Sequence, residues 1–105
     1  MLRIYPFIIE TLKLLAPIFR EIARYDADLA RQARRAGSSV ALNTAEAIGQ
    51  TGGNERARFR TAHAETQELR SCLDVAEALE YIAPVDDALR DRLDRIAATL
   101  FRLAG

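Results

Sequence analysis

The sequence predicts an all-α protein, an antiparallel up-and-down four-helix bundle forming one domain over residues 1–105. Three observations predict it. Apolar residues recur at spacings of three and four from end to end, and the strict alternation of a half-buried strand is absent. Start and stop residues divide the chain into four helix-length segments. The connections between these segments are short, which makes neighbouring helices antiparallel.

The first helix is expected over Ile4 to Ala23, with Ile4, Ile8, Thr11, Leu15, Ile18 and Ile22 as its main stripe. Its charged side chains fall within an arc of about 100°, and the rest of its surface is apolar. One core-facing stripe does not need all of that, so Phe7, Leu12, Leu14 and Phe19 are expected at an interface between subunits. Pro17 either bends this helix or starts a new segment, and the in-phase stripe through Ile18 and Ile22 favours the bend.

Asp26 is the natural N-cap of a second helix over Ala27 to Ile48, whose many small residues permit close approach of a neighbour. Gly49 is suited to end it in a left-handed conformation, and Gln50 to Gly53 then form a flexible connection. Asn54 is the expected cap of a long third helix reaching Ile82. Its stripe runs through Phe59, Ala62, Thr66, Leu69, Leu73 and Ala76; a second holds Thr61, Glu65, Glu68, Cys72, Val75, Leu79 and Ile82. Pro84 interrupts the chain, and Asp86 or Asp87 opens a fourth helix with a heptad seam of Leu89, Leu93, Ile96, Leu100 and Leu103.

Fifteen basic and fifteen acidic side chains cancel, so no global field draws in nucleic acid or an anionic membrane. Neither a secretory leader nor an uncharged apolar run of bilayer-spanning length is recognisable, and the cytoplasm is the expected location. The basic residues are nonetheless uneven. Arg31, Arg34, Arg56, Arg58 and Arg60 are candidate nucleic-acid contacts, against the plainer reading of a solvated surface with ion pairs.

Three polar residues interrupt apolar stripes: Asn43, Glu46 and Glu68. With Arg35 and Ser39 as partners they are expected to form a buried polar network that fixes helix register, in preference to a recognition pocket. Two bundle glutamates also suggest a carboxylate metal site, but such sites need Glu-x-x-His pairs, and the single histidine, His63, follows Arg60. Cys72 reads as a small buried hydrophobe. No catalytic residue, metal site, cofactor or small-molecule substrate is expected.

The segment LARQARRAGSSVALNTAEAIGQ, Leu29 to Gln50, resembles the hallmark stretch of the 23S rRNA intervening-sequence proteins, also called four-helix bundle proteins. Arg34, Arg35, Ser39, Val40, Asn43, Ala45 and Glu46 match its pattern, and Phe59, Ala62, Glu68 and Leu69 follow it in the third helix. The chain departs from it at Ala47, where glycine is usual, and at Gln50, where a basic residue is usual. The resemblance implies a four-helix bundle that assembles into a homo-oligomeric ring, commonly a pentamer. It also implies kinship with the basic accessory protein of diversity-generating retroelements, which works with nucleic acid. The expected partners are therefore other copies of this chain, and an RNA or nucleoprotein complex.

Overall fold

The structure is a computed structural model and describes residues 3–49 and 53–105. Four helices account for nearly all of them: α1 (Ile4–Ala23), α2 (Ala27–Ile48), α3 (Gly53–Ala78) and α4 (Asp87–Ala104). They run antiparallel in chain order and pack α1 on α2, α2 on α3, α3 on α4 and α4 back on α1. The α2–α3 seam is the most intimate and the α1–α4 seam the thinnest. The four-helix bundle expected from periodicity is the fold.

Helix α1 continues through Pro17 without a break, and Pro17 is exposed on its outer side. Asp26 caps α2, accepting from the Leu29 amide at 2.9 Å, and Asp86 caps α4, accepting from the Leu89 amide at 2.8 Å. Three local expectations are corrected. Gly49 ends α2 with φ −87°, in the right-handed region. Its amide reaches the Glu46 carbonyl at 3.1 Å, a tightened last turn that needs no left-handed residue. Helix α3 already includes Gly53, so Asn54 lies inside the helix and not at its cap. The expected Gln50–Gly53 connection falls, up to residue 52, outside the described residues.

The third correction is the end of α3, at Ala78 rather than Ile82. Glu80 takes a left-handed conformation, φ 61°. The Glu80 amide then donates to the Glu77 carbonyl at 3.0 Å and the Tyr81 amide to the Ala76 carbonyl at 2.9 Å. That pairing is the Schellman closure usually built on glycine. A side chain there costs about 1–2 kcal/mol, and with Glu80 in the place of glycine the sequence carries no glycine signal for the stop.

The core divides into two clusters along the bundle. Leu15, Phe19, Ile22, Leu73, Leu89 and Leu93 anchor the one near the α1–α2 and α3–α4 connections. Ile4, Ile8, Val40, Phe59, Ile96 and Leu100 anchor the other. Leu12 packs against both, and its Cδ2 would lie 2.9 Å from a Cβ placed on Gly37. A larger residue at that position would require the Leu12 side chain to shift. The buried polar side chains are threonines: Thr11, Thr44 and Thr66.

This packing redistributes the apolar surplus of α1. Phe19, expected at a subunit interface, is instead buried in the first cluster, where it faces Gly37 across the α1–α2 seam. Leu12 is half-buried beside it, and Phe7 is half-buried against α4. Leu14, 50 % exposed, is the member of that expected interface group left open to solvent.

Candidate interaction surfaces

The hallmark residues of α2 converge on one another at the surface. The Asn43 side-chain amide donates to the Ser39 carbonyl at 3.0 Å and to Ser39 Oγ at 2.9 Å. Across the α2–α3 seam, Arg58 donates from Nη1 to Asn43 Oδ1 at 3.2 Å, while its Nε stands 3.0 Å from Glu46 Oε2. Asn43 is thus bonded both within α2 and across the seam to α3. The Arg58 and Glu46 side chains are about half exposed, 48 % and 53 %.

The expected buried network is therefore corrected in place and in membership. Glu46, Glu68 and Arg35 are exposed, and Ser39 and Asn43 are half-buried. Water solvates the carboxylates, so no buried counter-charge is needed. Glu68 lies ten residues beyond Arg58 on α3, about 15 Å along the helix, and joins no ion pair among the described residues. Sequence reasoning looked for a polar layer in charged and amide side chains. The structure instead buries hydroxyls, each small enough to sit among apolar neighbours.

The five candidate nucleic-acid arginines do not form one patch. Arg31 pairs with Asp28 at 2.6 Å and Arg58 with Glu46. Arg34 is nine residues from Asn43, half a turn round α2 and about 14 Å along it. It therefore projects away from Arg58, and α2 separates it from Arg56 and Arg60.

A different surface emerges on α3. Ala57, Thr61, Ala64, Glu68, Ser71, Val75 and Ala78 are all exposed. They follow alternating steps of four and three, the spacing of a coiled-coil seam. The inward seam through Phe59, Ala62, Thr66, Leu69, Leu73 and Ala76 is buried. Helix α3 thus presents two seams on opposite sides, and the outer one carries a single charge. Leu79 continues it at 55 % exposure, and Leu42 on neighbouring α2 is 64 % exposed. The second stripe read from the sequence mixes the two sides, since its Cys72 is buried while its Thr61, Glu68 and Val75 are exposed.

Between α1 and α4 a polar cluster accompanies the apolar core packing. Arg92 donates from Nε to Thr11 Oγ1 at 2.9 Å and from Nη2 to the Phe7 carbonyl at 3.4 Å, and pairs with Glu10 at 2.7 Å. Its guanidinium also lies 4.1 Å from the centre of the Phe7 ring, and that of Arg95 lies 4.8 Å from the same centre. Sequence reasoning missed this cluster. The sequence places Phe7 among the residues of a subunit interface and gives no sign that arginines of α4 meet it.

His63 packs obliquely against Phe101, ring centres 5.5 Å apart. Burial, and secondarily the Glu68 carboxylate, push the Cys72 thiol upward in pKa, away from the reactive thiolate. Among the described residues no group of three metal-binding side chains comes together, and no helix is long and apolar enough to cross a membrane.

The fold and these surfaces define a helical bundle with outward-facing packing and charged faces. The chain belongs to the 23S rRNA-intervening sequence protein family, whose family model matches residues 9–102. No curated protein and no solved structure matches it.

Proposed function

We propose that the protein is a non-catalytic, cytoplasmic scaffold that self-associates into a ring, a pentamer, and serves as an accessory to an RNA or ribonucleoprotein process. The observation that carries the self-association is the outer seam of α3. A helix face with one charge in six turns, spaced for knobs-into-holes packing, is suited to a helix of another copy. Small residues along it let a second backbone approach, and Leu42, Val75 and Leu79 add apolar area. The ring and its subunit number rest on the family membership, as does the RNA context. The interface moves from α1 to α3, since α1 spends most of its apolar surface on its own core.

Light scattering at micromolar concentration tests this. The expected mass is a multiple of the 11.7 kDa chain, fivefold for a pentamer. Ala64→Glu and Ser71→Glu place charges on the seam and should yield monomers, whereas Leu14→Glu should leave the assembly intact. A monomeric wild-type chain overturns the proposal. Dissociation by Leu14→Glu but not by the α3 variants would return the interface to α1.

A second reading, a nucleic-acid-binding module using arginines of α2 and α3, has one observation in its favour. Arg34, Arg56 and Arg60 make no ion pair among the described residues. Salt-dependent RNA binding lost in an Arg34/Arg35/Arg58 triple alanine variant supports it, and no binding at low salt removes it.

A further inference from the structure

We propose that the cleft between the start of α1 and the second half of α4 is a phosphate-binding site. None of its lining residues belongs to the α3 seam or to the arginines of α2 and α3, and it stands or falls independently of the self-association proposed above. The cleft has a volume of about 180 Å³ and is lined by Arg3, Ile4, Phe7, Arg95 and Thr99.

Its charge is uncompensated. Arg92 and Arg95 each bring a guanidinium within 4.8 Å of the Phe7 ring centre. Arg92 is neutralised by Glu10. Neither Arg95 nor Arg3 has an acidic partner among the described residues, although Asp91 precedes Arg95 by one helical turn. An anion placed between Arg3 and Arg95 relieves this excess.

The donors are also arranged in advance. The Phe7 ring restrains the Arg95 guanidinium through cation–π attraction, while its N–H groups meet no hydrogen-bond partner among the described residues. A planar guanidinium with free donors matches phosphate oxygens in bidentate fashion. Thr99 adds a hydroxyl on the same wall. The field around the cleft has the right sign as well. Residues 3–9, 42–49, 53–62 and 95–105 form this end of the bundle and hold six arginines against two acids. Helix α1 begins there with neither a side-chain cap nor an acid in its first turn, so its positive pole is unopposed. The chemistry recognised is a phosphate group, supplied either by a single-stranded polynucleotide backbone or by a small phosphorylated compound.

The test is a titration at low ionic strength with two probes, sodium pyrophosphate and a short single-stranded RNA. Binding is followed by the Nε–Hε resonances of the arginines and by anisotropy of labelled RNA. Pyrophosphate should shift the Arg95 resonance and leave Arg34 unmoved. Arg95→Gln and Arg3→Gln should each weaken binding about tenfold, while Arg34→Gln leaves it unchanged; far-ultraviolet circular dichroism checks that each variant is folded. If RNA is the source, its binding falls in the same two variants, and the salt slope drops by about 0.7 for each guanidinium removed. If a small compound is the source, pyrophosphate binds with this pattern and RNA does not. The proposal is overturned if pyrophosphate shifts nothing, or if Arg34→Gln weakens binding as much as Arg95→Gln, which would mark diffuse attraction to a basic surface.

Discussion

The two ends of the bundle are built on opposite electrostatic plans. The end carrying the α1–α2 and α3–α4 connections, residues 20–31 and 74–90, holds eight acids against four arginines. The other end holds six arginines against two acids. The acids at the first end are engaged in structure. Asp26 and Asp86 cap helices, and Glu77 holds the α3–α4 connection by accepting from the Val85 amide and from Arg90, each at 2.8 Å. Tyr25 and Tyr81 stack across the two connections with ring centres 5.7 Å apart, and the Tyr81 hydroxyl donates to Asp26 at 3.4 Å. The arginines at the opposite end have far fewer partners. A net charge of zero therefore conceals a molecule with a structural end and an end whose charge is free to meet something else.

The largest expected effect comes from breaking the structural end. Glu77→Ala removes the acceptor of a backbone amide and one partner of a half-buried arginine, leaving Asp74 at 3.1 Å as the other. It should lower stability by about 2 kcal/mol, read from the urea midpoint at neutral pH. Arg95→Gln at the opposite end should change it by under about 0.5 kcal/mol. The contrast extends to pH. The Val85 amide, then the Arg90 side chain, hold the Glu77 carboxyl below the ordinary glutamate range. The unfolded chain therefore takes up this proton at a higher pH than the folded chain does. The contribution of Glu77 is complete above the ordinary glutamate pKa, about 4.3, and is lost as pH falls through the lower folded value. The Glu77→Gln variant should lose less stability than wild type over that acid range.

A smaller effect, of opposite sign, is expected at the other end. The Thr44 hydroxyl is fully buried and has no hydrogen-bond partner among the described residues. Thr44→Val keeps the shape and removes the unpaired group. It should raise stability by about 1 kcal/mol, measured as a higher urea midpoint with unchanged slope. Lower stability would mean that the hydroxyl is satisfied in solution.

How much of this was legible in the sequence follows from what each signal encodes. The inward seams of α3 and α4 and the aspartate caps could be read directly, because spacing and capping are local properties. The end of α3 at Glu80 could not, since its left-handed residue lacks the usual glycine. The surplus on α1 was visible, but its use was not. Phe19 is buried across the α1–α2 seam beside Gly37, and that depends on a residue distant in the chain. The Phe7–Arg92–Arg95 cluster was equally hidden, because it arises only where α4 returns to α1. Charge was summed along the chain, whereas the antiparallel fold sorts it by end.

The smallest effect is the coupling of Arg58 to Glu46, which lies near the basic end beside the outer seam of α3. Both side chains are about half exposed in the single chain. A double-mutant cycle in that state should therefore give under about 0.5 kcal/mol, as for other solvated pairs. Asn43 adds a neutral acceptor to Arg58 at 3.2 Å, which orients the guanidinium but contributes little net energy in water. If another copy packs along the α3 seam, water is displaced from the same pair and its interaction strengthens. The cycle should then be larger in associated wild-type background than in the monomeric Ala64→Glu background. Equal coupling in both would place the covering subunit elsewhere and leave the hallmark residues with the narrower role of fixing α2 against α3.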